Sequence, residues 1–333
     1  MRTESVLLHN LCAPCACRCR YCLLSWDGRP VGVPWERGAL FALRFRERIS
    51  EERPDLRFNF SFGYAMESPA LRDTLRFLRR IGSPQAEYLQ CDGLRMRSES
   101  ECGSLAALLA QEGVQRVNFT FYGLEEYHDR FAARAGDFAL LLRLMRAADA
   151  EGLTVSAGIP LTAENVSQTD DLLGILLEAA GSARPFLFIP HSEGRGLSLQ
   201  GVRFSDADYE KLSADARRLL NRELFRPERE WLSGAYKEES ARMLLLSLRT
   251  DNIDRYEAMT PDSLIAEAEA LDDAYYASFP SFAALAERHG DTQGRLFYRQ
   301  RDLFAHYRRL YAQETGVAPY DVTDERQTGS RRF

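Results

Sequence analysis

Short runs rich in β-formers alternate with longer stretches of helical periodicity through the first two thirds of this chain, and that alternation leaves few folds open. Strands are expected at residues 5–8, 57–62, 87–90, 116–121, 154–159 and 185–189, with helices at 35–51, 69–80, 101–111, 137–151 and 166–180. The fourth helical segment is the clearest, because Phe138, Leu141, Leu142, Met145 and Ala148 recur at helical spacing and would face a sheet. Gly152 and Gly181 then fall where helix ends need a permissive residue. Six βα units are too few to close an eight-stranded barrel, so the expectation is an α/β fold, a partial (β/α)6 TIM-like barrel, open and curved, with its helices outside. Active sites of such sheets lie at the carboxyl ends of the strands. That places the chemistry in segments 12–22, 63–67, 91–93, 122–136, 160–165 and 190–196.

From about Phe204 the strand signal gives way to helical patterns at 206–224, 238–248, 261–271, 282–289 and 303–314. The expected division is a partial-barrel domain at 1–203, a helical C-terminal domain at 204–322 that covers the core or builds part of a substrate pocket, and a flexible polar tail at 323–333. A length of 333 residues allows one large domain or two smaller ones. A net charge of -6 excludes a general nucleic-acid binder, although the arginines could still form a local phosphate site. No apolar run approaches the ~20 residues of a membrane helix, and the N-terminal run is too short for a secretory signal. The expectation is a cytoplasmic protein with neither a membrane nor a nucleic-acid partner.

Five of the seven cysteines lie between Cys12 and Cys22, a density that suits a metal centre and not a disulfide framework, which would staple distant segments. In LCAPCACRCRYC the side chains of Cys15, Cys19 and Cys22 converge if the backbone coils around one centre. Soft thiolates select zinc, copper or iron–sulfur centres, and cubane clusters are held by cysteine. Three ligands on a four-iron cubane leave one iron open to a non-protein ligand. The competing reading is structural zinc with four tetrahedral ligands, His9 helping; Cys-x-Cys crowding and the large sheet it leaves unexplained count against it. Cys12 and Cys17 do not fit the three-ligand spacing. Cys91 and Cys102 read as small buried side chains, with Cys91, at the end of the third strand, also the candidate catalytic thiol as a hydrogen donor facing the pocket.

The C-x3-C-x2-C spacing of Cys15, Cys19 and Cys22, after the first strand and with Tyr21 just before the last cysteine, resembles the cluster loop of the radical SAM superfamily, and the resemblance extends over roughly residues 5–200. It implies a four-iron, four-sulfur (4Fe-4S) cluster whose open iron is chelated by S-adenosylmethionine. An electron from the cluster then yields methionine and a 5′-deoxyadenosyl radical that abstracts hydrogen from substrate. It also implies cofactor-binding roles for Tyr21, Gly63, Glu67, Thr120, Tyr122, Ser156 and Arg195. Gly63 and Glu67 lie in a turn similar to the family's Gly-Gly-Glu-Pro, but the second glycine is missing and the spacing to the acid is stretched. His128 and Asp129 read as loop architecture, Asn165 as a helix cap, and His191 and Glu193 accompany Arg195 at the sixth strand end. No cysteine follows Cys102, so a single cluster is expected, in a maturase-like branch without the C-terminal auxiliary-cluster domain. The resemblance further implies an oxidoreductase fed electrons by a flavodoxin or ferredoxin, acting on a peptide substrate. The alternatives are the same chemistry on a small polar metabolite, or a non-catalytic iron–sulfur or zinc-binding regulatory protein.

Overall fold

A computed structural model describes residues 1–11, 15–22, 32–63, 65–238 and 240–317. Cys12, Tyr64 and the expected tail at 323–333 lie outside the described residues. The first two thirds run β1 (Arg2–Asn10), α1 (Trp35–Glu52), β2 (Arg57–Phe62), α2 (Leu71–Arg80), β3 (Tyr88–Gln90), α3 (Glu99–Gln111), β4 (Arg116–Thr120), α4 (Glu125–Ala132), α5 (Asp137–Ala150), β5 (Thr154–Pro160), α6 (Thr169–Ala179) and β6 (Arg184–Phe188). All six expected strands and five expected helices are present, and α4 is an addition. The α5 stripe of Phe138, Leu141, Leu142, Met145 and Ala148 is buried, as its spacing requires. Gly152 ends that helix in the left-handed region at φ 76°, whereas Gly181 does not adopt a positive φ.

The strands form two parallel sheets, ordered β3-β4-β5-β6 and β2-β1 with one further strand beyond β1. The break between β2 and β3 has a local cause. The Gln85 side chain donates to the Phe62 carbonyl at 2.6 Å and accepts the Phe62 N–H at 2.8 Å, and the Ser83 hydroxyl donates to the Phe60 carbonyl at 2.6 Å. Side chains thereby satisfy the backbone groups that a neighbouring strand would otherwise pair. Val6 and Leu8 of β1 bury one face in a core shared with Ala42 and Phe45 of α1, while Val117, Phe119, Val155 and Ala157 do the same for β4 and β5.

The C-terminal third contains α7 (Asp206–Tyr209), α8 (Ala214–Arg218), β7 (Arg226–Pro227), α9 (Glu228–Glu230), β8 (Ala241–Leu248), α10 (Ile253–Glu257), α11 (Pro261–Ala277), α12 (Phe282–His289), β9 (Phe297–Tyr298) and α13 (Gln300–Thr315). Two expectations are corrected here. Residues 206–224 form two short helices and turns, and residues 238–248 contribute a strand instead of a helix. β8 runs parallel to β1 from Arg2 opposite Ala241 to Asn10 opposite Leu248, with one shift of register between Thr3 and Ser5, completing the order β2-β1-β8. Its last five residues are all buried, so the run MLLLSL carries no period-two signal, and a continuous leucine-rich stretch of that length reads equally well as helix. No described helix is long and apolar enough to cross a membrane.

Candidate functional site

The cysteine segment 15–22 is pinned at the carboxyl end of β1 by neighbours from three other strand ends. Ala16 N–H donates to the Gly93 carbonyl at 2.8 Å, Arg18 and Arg20 N–H donate to Ala132 and Phe131 at 2.8 and 3.1 Å, and Arg195 N–H donates to the Cys22 carbonyl at 3.0 Å. The Arg18 guanidinium closes the loop on itself through the Cys15 and Cys17 carbonyls. Cys15 and Cys17 are buried, Cys19 and Cys22 half-buried, and all four are free thiols. Among the described residues no group of three or more His, Cys, Asp or Glu side chains is gathered closely enough to hold a metal ion. As a donor set, four free thiols within one eight-residue segment, three of them in the C-x3-C-x2-C spacing, on a loop anchored over the strand ends, fit a soft metal centre.

Aromatic side chains wall this loop. The Tyr21 ring lies 5.5 Å from Tyr122, 6.0 Å from Phe131 and 6.4 Å from Phe188. The Tyr122 hydroxyl donates to Cys19 Sγ at 3.1 Å. Burial, followed by the neighbouring charges, pushes both tyrosine hydroxyls well above their ordinary range, so they remain donors. Behind Tyr122, its own N–H donates to His128 Nδ1 at 3.1 Å, which leaves His128 Nε2 carrying the proton toward Asp137 Oδ2 at 3.1 Å. Asp137 also accepts from Cys17 Sγ at 3.6 Å and from Arg134 at 3.2 Å. Asp129 does something different: its carboxylate accepts the Gly136 and Phe138 N–H groups and caps α5. His128 and Asp129 are thus two separate pieces of architecture.

Thr120 ends β4, and its N–H and hydroxyl both donate to Asp92, at 2.8 and 2.7 Å. Gln90 also donates to Asp92. A row of side chains continues away from the site: Asn118 donates to Gln90 at 2.7 Å, and Ser156 donates to Asn118 at 2.9 Å. Burial pushes the Asp92 carboxyl up to about 6, against the opposing pull of the Thr120 and Gln90 hydrogen bonds. Register puts Gly158, not Ser156, level with Thr120. Ser156, expected at the cofactor, stands two residues further down the strand and reaches Asp92 only through this row.

At Gly63, expected to let the backbone approach the cofactor, an added Cβ would stand 2.3 Å from Leu11 Cδ1, the end of a flexible side chain at the entrance to the cysteine segment. Glu67 is a correction. Instead of lying open to a ligand, its Oε1 accepts the Arg95 N–H at 2.7 Å and the Arg97 guanidinium at 2.6 Å in an ion pair whose side chains are 10% and 7% exposed. Cys91, the candidate catalytic thiol, is fully buried in the apolar core, and burial pushes its thiol pKa up. Cys102 is equally buried on α3. The residue overlooked was Asp92. Alternation along a strand sends Leu89 and Cys91 to one face and Gln90 and Asp92 to the other, and following that alternation would have directed attention to the acid. Arg195 is anchored by its backbone, and its guanidinium has no partner among the described residues. His191 Nδ1 meets Asp302 Oδ1 of α13 at 3.0 Å, joining the β6 end to the C-terminal third.

No family model matches the chain, and no curated protein does. Among solved structures it is similar to Streptococcus suis SuiB bound to the precursor peptide SuiA, at 10% identity and a TM-score of 0.46, over 74% of this chain and 49% of that one. It is similar to anSMEcpe with bound AdoMet, at 16% identity and a TM-score of 0.45, over 72% of this chain and 64% of that one. Escherichia coli coproporphyrinogen III oxidase (HemN), described as a radical SAM enzyme, gives 16% identity and a TM-score of 0.38, over 62% and 48%. The chain spans about half the length of SuiB.

Proposed function

We propose that the chain is a radical SAM enzyme that abstracts hydrogen from a peptide. The observation that carries this reading is the cysteine segment itself: Cys15, Cys19 and Cys22 as free thiols in the C-x3-C-x2-C spacing, fixed over the ends of parallel strands. Those three thiolates would hold a 4Fe-4S cluster, which would supply the electron for splitting S-adenosylmethionine.

The chain's own residues prepare the site. Tyr21, Tyr122 and Phe131 screen the loop from water. Gly63 carries no Cβ beside the cysteine segment, Thr120 and Asp92 hold each other across the ends of the neighbouring strands β4 and β3, and Arg195 leaves a guanidinium for a carboxylate. A cavity of about 450 Å3 lies against β1, β8 and α13, lined by Leu7, Met243, Leu245, Glu193, Phe304 and Arg301, and it shares no lining residue with the cysteine segment or the Tyr122 wall. A peptide is the first reading of the substrate, and a small polar metabolite is the second. A flavodoxin or ferredoxin completes the scheme as electron donor.

The test is anaerobic reconstitution with iron and sulfide, reduction with dithionite, addition of S-adenosylmethionine and quantification of 5′-deoxyadenosine. Formation by the native chain and not by the C15A/C19A/C22A triple variant is the expected result. Tight zinc with no cluster would overturn the reading.

A further inference from the structure

We propose that the Tyr122 hydroxyl, through its hydrogen bond to Cys19 Sγ, raises the reduction potential of the iron–sulfur centre, an inference that rests on the cluster reading above. The bond is 3.1 Å long, and its donor has little freedom to leave. The Tyr122 ring stacks on both His128, with centroids 4.9 Å apart, and Phe131, at 4.6 Å, with Tyr21 edge-on at 5.5 Å. Its backbone is held at both ends. The N–H donates to His128 Nδ1, itself fixed by Asp137, and the carbonyl accepts from Asn165 Nδ2 at 2.6 Å. Tyr122 is 3% exposed, so no bulk water competes for the sulfur from its side.

The direction of the effect follows from charge. A thiolate ligand only accepts, so the phenol is the donor. A donor to a ligand sulfur stabilises negative charge at the centre, and the reduced state carries one more negative charge than the oxidised state. The hydrogen bond therefore favours reduction. The same stack explains why an aromatic residue with a hydroxyl stands here: the ring builds the wall and the oxygen reaches the sulfur.

The experiment is an EPR-monitored redox titration of reconstituted wild type and Y122F, which keeps the ring and removes the oxygen. The expected result is a more negative midpoint in Y122F. Roughly a tenfold change in the oxidised-to-reduced ratio at fixed potential corresponds to a shift of about 59 mV for one electron. Pulsed ENDOR of the reduced wild type after exchange into D2O should show a coupled deuteron that Y122F lacks. Y127F is the control, because Tyr127 lies on the same wall but its hydroxyl donates to Glu164 at 2.8 Å and to no described cysteine; its midpoint should equal that of wild type. An unchanged midpoint in Y122F, or an equal shift in Y127F, would overturn the proposal. Failure of the wild type to assemble any cluster would overturn the cluster reading and this inference with it.

Discussion

Asp92 concentrates the electrostatics of the site in one residue. Its carboxyl titrates near 6 in the folded chain, against an ordinary value of about 3.9. A raised acid pKa means that the folded state holds its proton more tightly than the unfolded state does. The associated stability is full below about 4 and is lost as pH rises through about 6. Urea unfolding of wild type relative to D92N should therefore show the wild type losing ground between about pH 4 and pH 7, and a flat difference would contradict this assignment. The cysteines separate by role in a similar way. C15A, C19A and C22A should each drop iron and sulfide content after reconstitution to background. C17A should load normally, because Cys17 is spent on its contact with Asp137. The spacing singles out three candidate ligands and leaves Asp137 hidden, since the partners of a buried carboxylate more than a hundred residues away are set by packing, not by local pattern.

Elements were legible where one face is buried and the other wet. In α5 the apolar stripe shows at helical period, whereas α3 starts two residues before the expected 101, at a capping box in which Ser98 Oγ accepts the Glu101 N–H at 3.3 Å while Glu101 accepts the Ser98 N–H at 2.8 Å. S98A should cost about 1 kcal/mol in urea unfolding, and no loss would show that the cap is not holding the helix. Where both faces are buried the pattern vanishes, which is why β8 was read as helix. The short helix α4 also escaped, since its eight residues fall in a segment read as loop and its end relies on Ala133 at φ 54°. Glu67 illustrates a different limit: a motif fixes where an acid lies along the chain, while Arg97, thirty residues on, decides what it binds.

At the scale of the whole molecule, β8 ties the C-terminal third to the first strand. Severing the chain after residue 203 would strip β1 of one of its two partners along nearly its full length and expose Leu7 and the backbone edge. A chain of residues 1–203 should thus show no cooperative thermal unfolding by circular dichroism, whereas a sharp transition would mean that the partial barrel folds alone. The central claim, that three cysteines hold a cluster with one iron left for S-adenosylmethionine, is tested most directly by EPR of the reduced, reconstituted protein before and after S-adenosylmethionine is added. A changed spectrum on addition, absent from the triple-cysteine variant, is the outcome expected. A cluster spectrum that S-adenosylmethionine leaves unmoved would contradict the claim.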